Sequence, residues 1–117
     1  AARQLAAEAR KEIDEMKTIM VQNFDAMMDK CRSGEPIPVE DRVRYRYDSA
    51  VVADRCLELS SRMLKASGSG GVRKGSELLD YHLDILCSQA HVANHSAPFA
   101  NNLGGVLFGE ENLDYAV

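Results

Sequence analysis

Between positions 39 and 66 the apolar residues fall on two flanks of a helix instead of one. Val43, Tyr47, Ala50, Leu57 and Leu64 recur at helical spacing on one side. Tyr45, Val52, Cys56, Leu59 and Met63 recur on a second side, about 200° away at about 100° per residue. Two apolar flanks need two neighbours, so the pattern predicts a central helix over 39–66 with other helices on both sides. Residues 42–47 alternate polar and apolar, as a strand would. A lone strand leaves its ladder groups unpaired, and the only other candidate is the short Val106-Leu107-Phe108. The helical pattern runs unbroken to Met63, so we read this stretch as helix.

A first helix is predicted over 2–32. Its seam is Leu5, Ala9, Ile13, Met16, Met20, Phe24, Met27 and Cys31, in steps of 4, 4, 3, 4, 4, 3 and 4. That eleven-residue rhythm predicts a nearly straight or slightly right-handed seam. Ser33-Gly34 supplies a stop before Pro36 and Pro38. A third helix is predicted over 76–96, with Ser76 as N-cap and Glu77 in the first turn. Leu79, Leu83, Leu86, Ala90, Ala93 and Ala97 form its face, and Pro98 is expected to end it. The Gly/Ser loop 67–73 lets this helix turn back on the second. Residues 98–117 are expected to form an apolar tail folded onto the bundle, because Phe99, Leu103, Leu107 and Phe108 would not be left in water.

The predicted architecture is therefore all-α: a single domain, 1–117, built as an antiparallel bundle of three long helices with an apolar C-terminal tail packed on it. Helices of 28–30 residues reach about 42–45 Å, whereas a compact domain of this length has a diameter of about 35 Å. The overhang points to a protein partner or a homo-oligomer.

The net charge is −4, and it is unevenly placed. After Ser67 only Arg73 and Lys74 stand against six acids. An acidic chain without a basic stripe makes nucleic acid an unfavourable partner. No apolar run reaches the 18 or so residues of a membrane span. Cys31, Cys56 and Cys87 are odd in number and far apart, which predicts three buried thiols in a reducing compartment, cytoplasmic or nuclear.

Candidate chemistry is sparse. Cys87, His91 and His95 are spaced four apart on the predicted third helix. Two of them could chelate an ion, but the third lies about 12 Å from the first, so no metal site is assigned. Lys74-Gly75-Ser76 resembles part of the His-x-x-Lys-Gly-Ser run of histidine phosphotransfer domains, yet Gly71 stands where the phosphoacceptor histidine belongs. The glycines do not form a phosphate-binding loop, since no Gly-Lys-Ser/Thr follows at the required spacing. No cofactor motif is present. The one basic and aromatic cluster is Arg42, Arg44, Tyr45, Arg46 and Tyr47. Together with Leu103, Leu107 and Phe108 it forms the expected partner-binding set.

With no catalytic motif, the expected role is a non-catalytic interaction or assembly module, self-associating or a small subunit of a larger complex. The alternatives are a small enzyme or phosphotransfer-like domain using a histidine, and a nucleic-acid-associated domain using the arginines at 42–46.

Overall fold

The computed structural model describes residues 2–117, which are helical and contain no strand. Four α-helices follow one another: α1 (Ala2–Ser33), α2 (Val39–Ser67), α3 (Glu77–Ser88) and α4 (Ser96–Leu107). Short 3-10 turns occupy Gly68–Gly70 and Val92–Asn94.

The first two helices match their apolar periods closely. Gly34 ends α1 in the left-handed region at φ 73°, where a side chain would be strained. Its amide bonds to the Cys31 carbonyl at 3.3 Å and the Glu35 amide to the Lys30 carbonyl at 3.2 Å, the two bonds of a Schellman cap. Lys30 and Glu35 pair across this turn at 2.7 Å. The hydrogen bond first, and the charge second, raise the lysine pKa and lower that of the glutamate.

Helix α2 is the centre. It packs against α1, α3, α4 and the turn at Val92–Asn94, and no pair of elements without it makes a comparable contact. Both of its apolar flanks are used: Val43, Ala50 and Leu59 are buried, and Ala9 and Met16 of α1 with Phe99 of α4 make up the rest of the buried apolar set. The polar N-terminal half of α1 is tied down by charge. Arg62 reaches Glu12 at 2.7 Å and Glu8 at 3.3 Å, while Arg55 reaches Glu15 at 2.9 Å. These pairs are partly open to water and therefore screened. Arg62→Ala should lower stability by about 1 kcal/mol in low salt, and by less in high salt. Urea melts at two ionic strengths measure this; an equal loss at both would mean that packing, not charge, does the holding.

The predicted third helix is broken in two. It stops at Ser88 because nearby side chains compete for its backbone groups. Asn94 Nδ2 donates to the Ser88 carbonyl at 2.8 Å, and the His95 ring nitrogen Nε2 lies 2.9 Å from the Gln89 carbonyl. Pro98 then sits in the first turn of α4, where its missing N–H costs nothing. Much of the predicted tail is thus a helix, and only the segment after Leu107 is irregular.

The cysteines also depart from expectation. Cys31 and Cys87 are exposed and Cys56 is half-buried. Burial pushes the Cys56 thiol pKa up, with a smaller opposing effect from Arg55. Cys31 and Cys87 should therefore react at once with a thiol reagent at neutral pH, and Cys56 should lag until the fold opens. Equal rates at all three would refute this.

Candidate functional site

The sequence-predicted arginine and tyrosine positions meet α1 along one edge of α2, and the structure separates them into two groups. Arg44 turns toward α1. Its guanidinium lies 3.5 Å from Asp41 and 3.7 Å from Asp48, and 4.8 Å above the Tyr45 ring. It also donates to Asn23 Oδ1 at 3.3 Å, while Asn23 Nδ2 donates to Asp48 at 2.9 Å. Asn23 is buried, so this exchange satisfies both ends of an amide that would otherwise be costly.

Arg42 and Arg46 turn instead toward the C-terminal segment. Arg42 donates to the Val117 carbonyl at 3.0 Å. Arg46 Nε lies 2.6 Å from Asp114 Oδ2, and its guanidinium sits 4.5 Å above the Phe99 ring. The two atoms are at ion-pair distance without hydrogen-bond alignment, so the attraction is charge to charge. Asn102 completes the anchor. It is buried, accepts from the Leu113 amide at 2.7 Å and donates to Asn112 Oδ1 at 2.8 Å.

Between these groups opens a cleft of about 230 Å³. Met20, Phe24 and Met27 of α1 form one wall, Tyr45, Arg46 and Ser49 of α2 another, and Ala93 closes the far side. On the other side of Tyr45 and Arg46 a second hollow of about 300 Å³ runs under Ala116 and Val117. Small-molecule sites usually need about 300–1,000 Å³ of enclosed, convergent surface. The cleft is smaller and mostly apolar, with Asn23, Arg46, Asp48 and Ser49 as its polar lining. It can form one wall of a site and does not complete one.

The remaining predicted positions lie elsewhere. Tyr47 and Leu103 are half-buried, whereas Leu107 and Phe108 are exposed at the end of α4. His91 is out of the helix, and its Nδ1 accepts from the Ala93 amide at 3.1 Å, so the chelating spacing with His95 is lost. Among the described residues no three His, Cys, Asp or Glu side chains are placed to hold a metal ion. His82 Nδ1 lies 2.8 Å from Ser60 Oγ. The same hydroxyl lies 3.0 Å from the Leu57 carbonyl of its own helix, so it is bound both to the ring and to the main chain. Asn23, Asn102, Asn112 and Asp114 are the members of these two clusters that sequence reasoning missed. The only available signal was the Asn112-x-Asp114 spacing, a turn-forming pair.

The family profile described as "Acyl-CoA dehydrogenase, C-terminal domain" matches residues 1–96. The chain belongs to this family. This acyl-CoA dehydrogenase C-terminal domain is similar in structure to 3-HSA hydroxylase from Rhodococcus sp. RHA1, with a TM-score of 0.93 and 25% identity over 99% of the chain. It also shares its fold with the HsaA monooxygenase from M. tuberculosis, at a TM-score of 0.89 and 24% identity over 96% of the chain. The domain spans 31% and 29% of those two chains. No curated protein matches it.

Membership overturns the expectation of a non-catalytic interaction module, and with it the expectation that the chain is not part of an enzyme. The domain belongs to an enzyme family, and its solved relatives are a hydroxylase and a monooxygenase. That expectation rested on the absence of a catalytic motif in a chain that spans about a third of those two relatives. No helix among the described residues is long and apolar enough to cross a membrane.

Proposed function

We propose that this domain is the helical C-terminal part of an oxidative enzyme of the monooxygenase kind, working as a homo-oligomer in a reducing, cytoplasmic setting. The observation that carries the reading is the likeness to 3-HSA hydroxylase over 99% of the chain, on top of family membership. The three unpaired cysteines support the reducing setting.

Dehydrogenation and monooxygenation both move an electron pair, which side chains do not store. A redox cofactor of the flavin class would supply that capacity. The residues present do not seat such a group whole, because the α1–α2 cleft is only about 230 Å³. The domain contributes a wall, and the rest of the site comes from elsewhere in the assembly. Arg42 and Arg46 serve that assembly by fixing the C-terminal segment. The apolar surface offered for contact is Leu107 and Phe108, joined by Leu113 and Tyr115, all exposed.

Product analysis on the full-length protein tests the reading. With reduced flavin, dioxygen and 3-HSA, the product should gain one oxygen atom while the other leaves as water. An acyl-CoA thioester that loses two hydrogens to an artificial acceptor would favour dehydrogenation instead. No turnover of either kind would overturn the oxidative assignment.

A further inference from the structure

The turn between α3 and α4 is held in shape from within. Asn94 Nδ2 donates to the Ser88 carbonyl at 2.8 Å, His95 Nε2 lies 2.9 Å from the Gln89 carbonyl, and His91 Nδ1 accepts from the Ala93 amide at 3.1 Å. The main-chain bonds are equally local: the Ala90 amide to the Cys87 carbonyl at 3.1 Å, and the Asn94 amide to the His91 carbonyl at 2.9 Å. Such short-range bonds fix the form of a turn but not where it stands. Its place is set by packing on α2 and by any bond that reaches another helix.

One bond does so. Ser96, the first residue of α4, donates from Oγ to Asp54 Oδ2 on α2. Among the described residues this is the one hydrogen bond or ion pair that joins 88–107 to α2. Asp54 is half-buried and forms no ion pair among those residues, and Arg55 beside it is engaged with Glu15 of α1. A carboxylate partly removed from water needs a donor in exchange. Ser96 provides one, and the start of α4 favours a negative charge through the helix dipole. Helix α4 gains from the same contact. It has no acidic residue in its first turn and no side-chain cap at His95, so Asp54 brings from another helix what its own sequence lacks.

The place of the turn matters because Ala93 closes the far side of the α1–α2 cleft. The α2 wall of that cleft ends at Ser49, five residues before Asp54, and Ala93 comes three residues before Ser96. Asp54 itself does not line the cleft. We infer that Asp54 is a positioning residue: through Ser96 it holds the 89–95 turn at a fixed distance from α2 and so sets the width of the cleft. The inference deepens the proposed function and rests on its reading of the cleft as one wall of the site.

Hydrogen exchange and steady-state kinetics on the full-length protein test it. Losing a hydrogen bond to a charged group should speed amide exchange over 89–96 by about tenfold or more in Asp54→Ala and in Ser96→Ala, with α1 unchanged. Combining the two should add little, because both remove the same bond. Ser96→Thr keeps the hydroxyl and should restore wild-type exchange. In the oxygenase assay kcat should fall by about fivefold or more in Asp54→Ala. A larger share of the dioxygen consumed should also leave as hydrogen peroxide, reduced flavin passing two electrons and two protons to it. A bond that serves stability alone would lower the urea midpoint and leave that share untouched. Asp54→Asn keeps an acceptor for Ser96 without the charge; it should fall between wild type and Asp54→Ala, and it serves if the alanine variant does not fold. Unchanged exchange over 89–96, faster exchange spread over all helices, or a loosened turn with unchanged kcat, KM and peroxide share would each overturn the inference. Loosening confined to 89–96 in a protein with no turnover upholds the positioning and sinks the enzymatic reading.

Discussion

Arg46→Met should destabilise the fold by about 2–3 kcal/mol, read as a lower urea midpoint with an unchanged slope. The arginine faces Asp114, whose side chain is only 11% exposed, and covers the Phe99 ring at 4.5 Å. Methionine keeps most of the stem's packing but leaves Asp114 as a half-desolvated carboxylate without its cation. Breaking a fully buried pair costs about 3–5 kcal/mol. The 31% exposure of Arg46 lets water recover part of that. Adding Asp114→Asn to Arg46→Met should return part of the loss, since the stranded charge is then gone. A second variant that proves additive with the first would refute the pairing argument. Limited proteolysis provides an independent reading: residues 109–117 should become susceptible in Arg46→Met before the helices do.

Phe99→Ala should cost about 3–4 kcal/mol, the usual range for emptying a buried aromatic site. Phe99 is 8% exposed and is the one buried apolar side chain on α4. A ring at the base of a loosely attached tail would cost under about 1 kcal/mol when removed, so chemical denaturation separates the two pictures. Because Arg46 stacks on this ring, the combined Arg46→Met and Phe99→Ala variant should lose less than the sum of the two single losses.

The central helix was legible because it is decided by apolar spacing alone. Val43 and Ala50 come from one predicted flank and Leu59 from the other, and all three are buried. The first helix was legible for the same reason, and Gly34 marked its end in plain sight. The third helix was not. Its apolar steps continue smoothly from Leu79 to Ala97, and such spacing is blind to side chains that bond back to the main chain. Ser88, Asn94 and His95 decide the break through hydrogen bonds with groups three to six residues away. Pro98 then read as a stop when it is a start.

The site was less legible still. Arg42, Arg44 and Arg46 stood out, but their partners did not, because Asp114 and Val117 reach α2 only after the chain reverses at Gly109, where φ is 87°. The thiols misled for a related reason. Cys31 falls on the apolar seam of α1 and is nonetheless exposed, and Cys87, off the predicted face of the third helix, is exposed as well. The enzymatic affiliation rests on the family match over residues 1–96, and no local motif among them announces it.

The position of α2 also constrains the order in which the molecule can assemble. No two of the other helices make a substantial contact with each other, so no stable partial structure can form without it. Its buried positions must be organised early. Small truncations at Val43 or Leu59 should therefore slow folding, whereas equivalent changes on α1 should mainly hasten unfolding. The chain has, in effect, a single gateway to its native state.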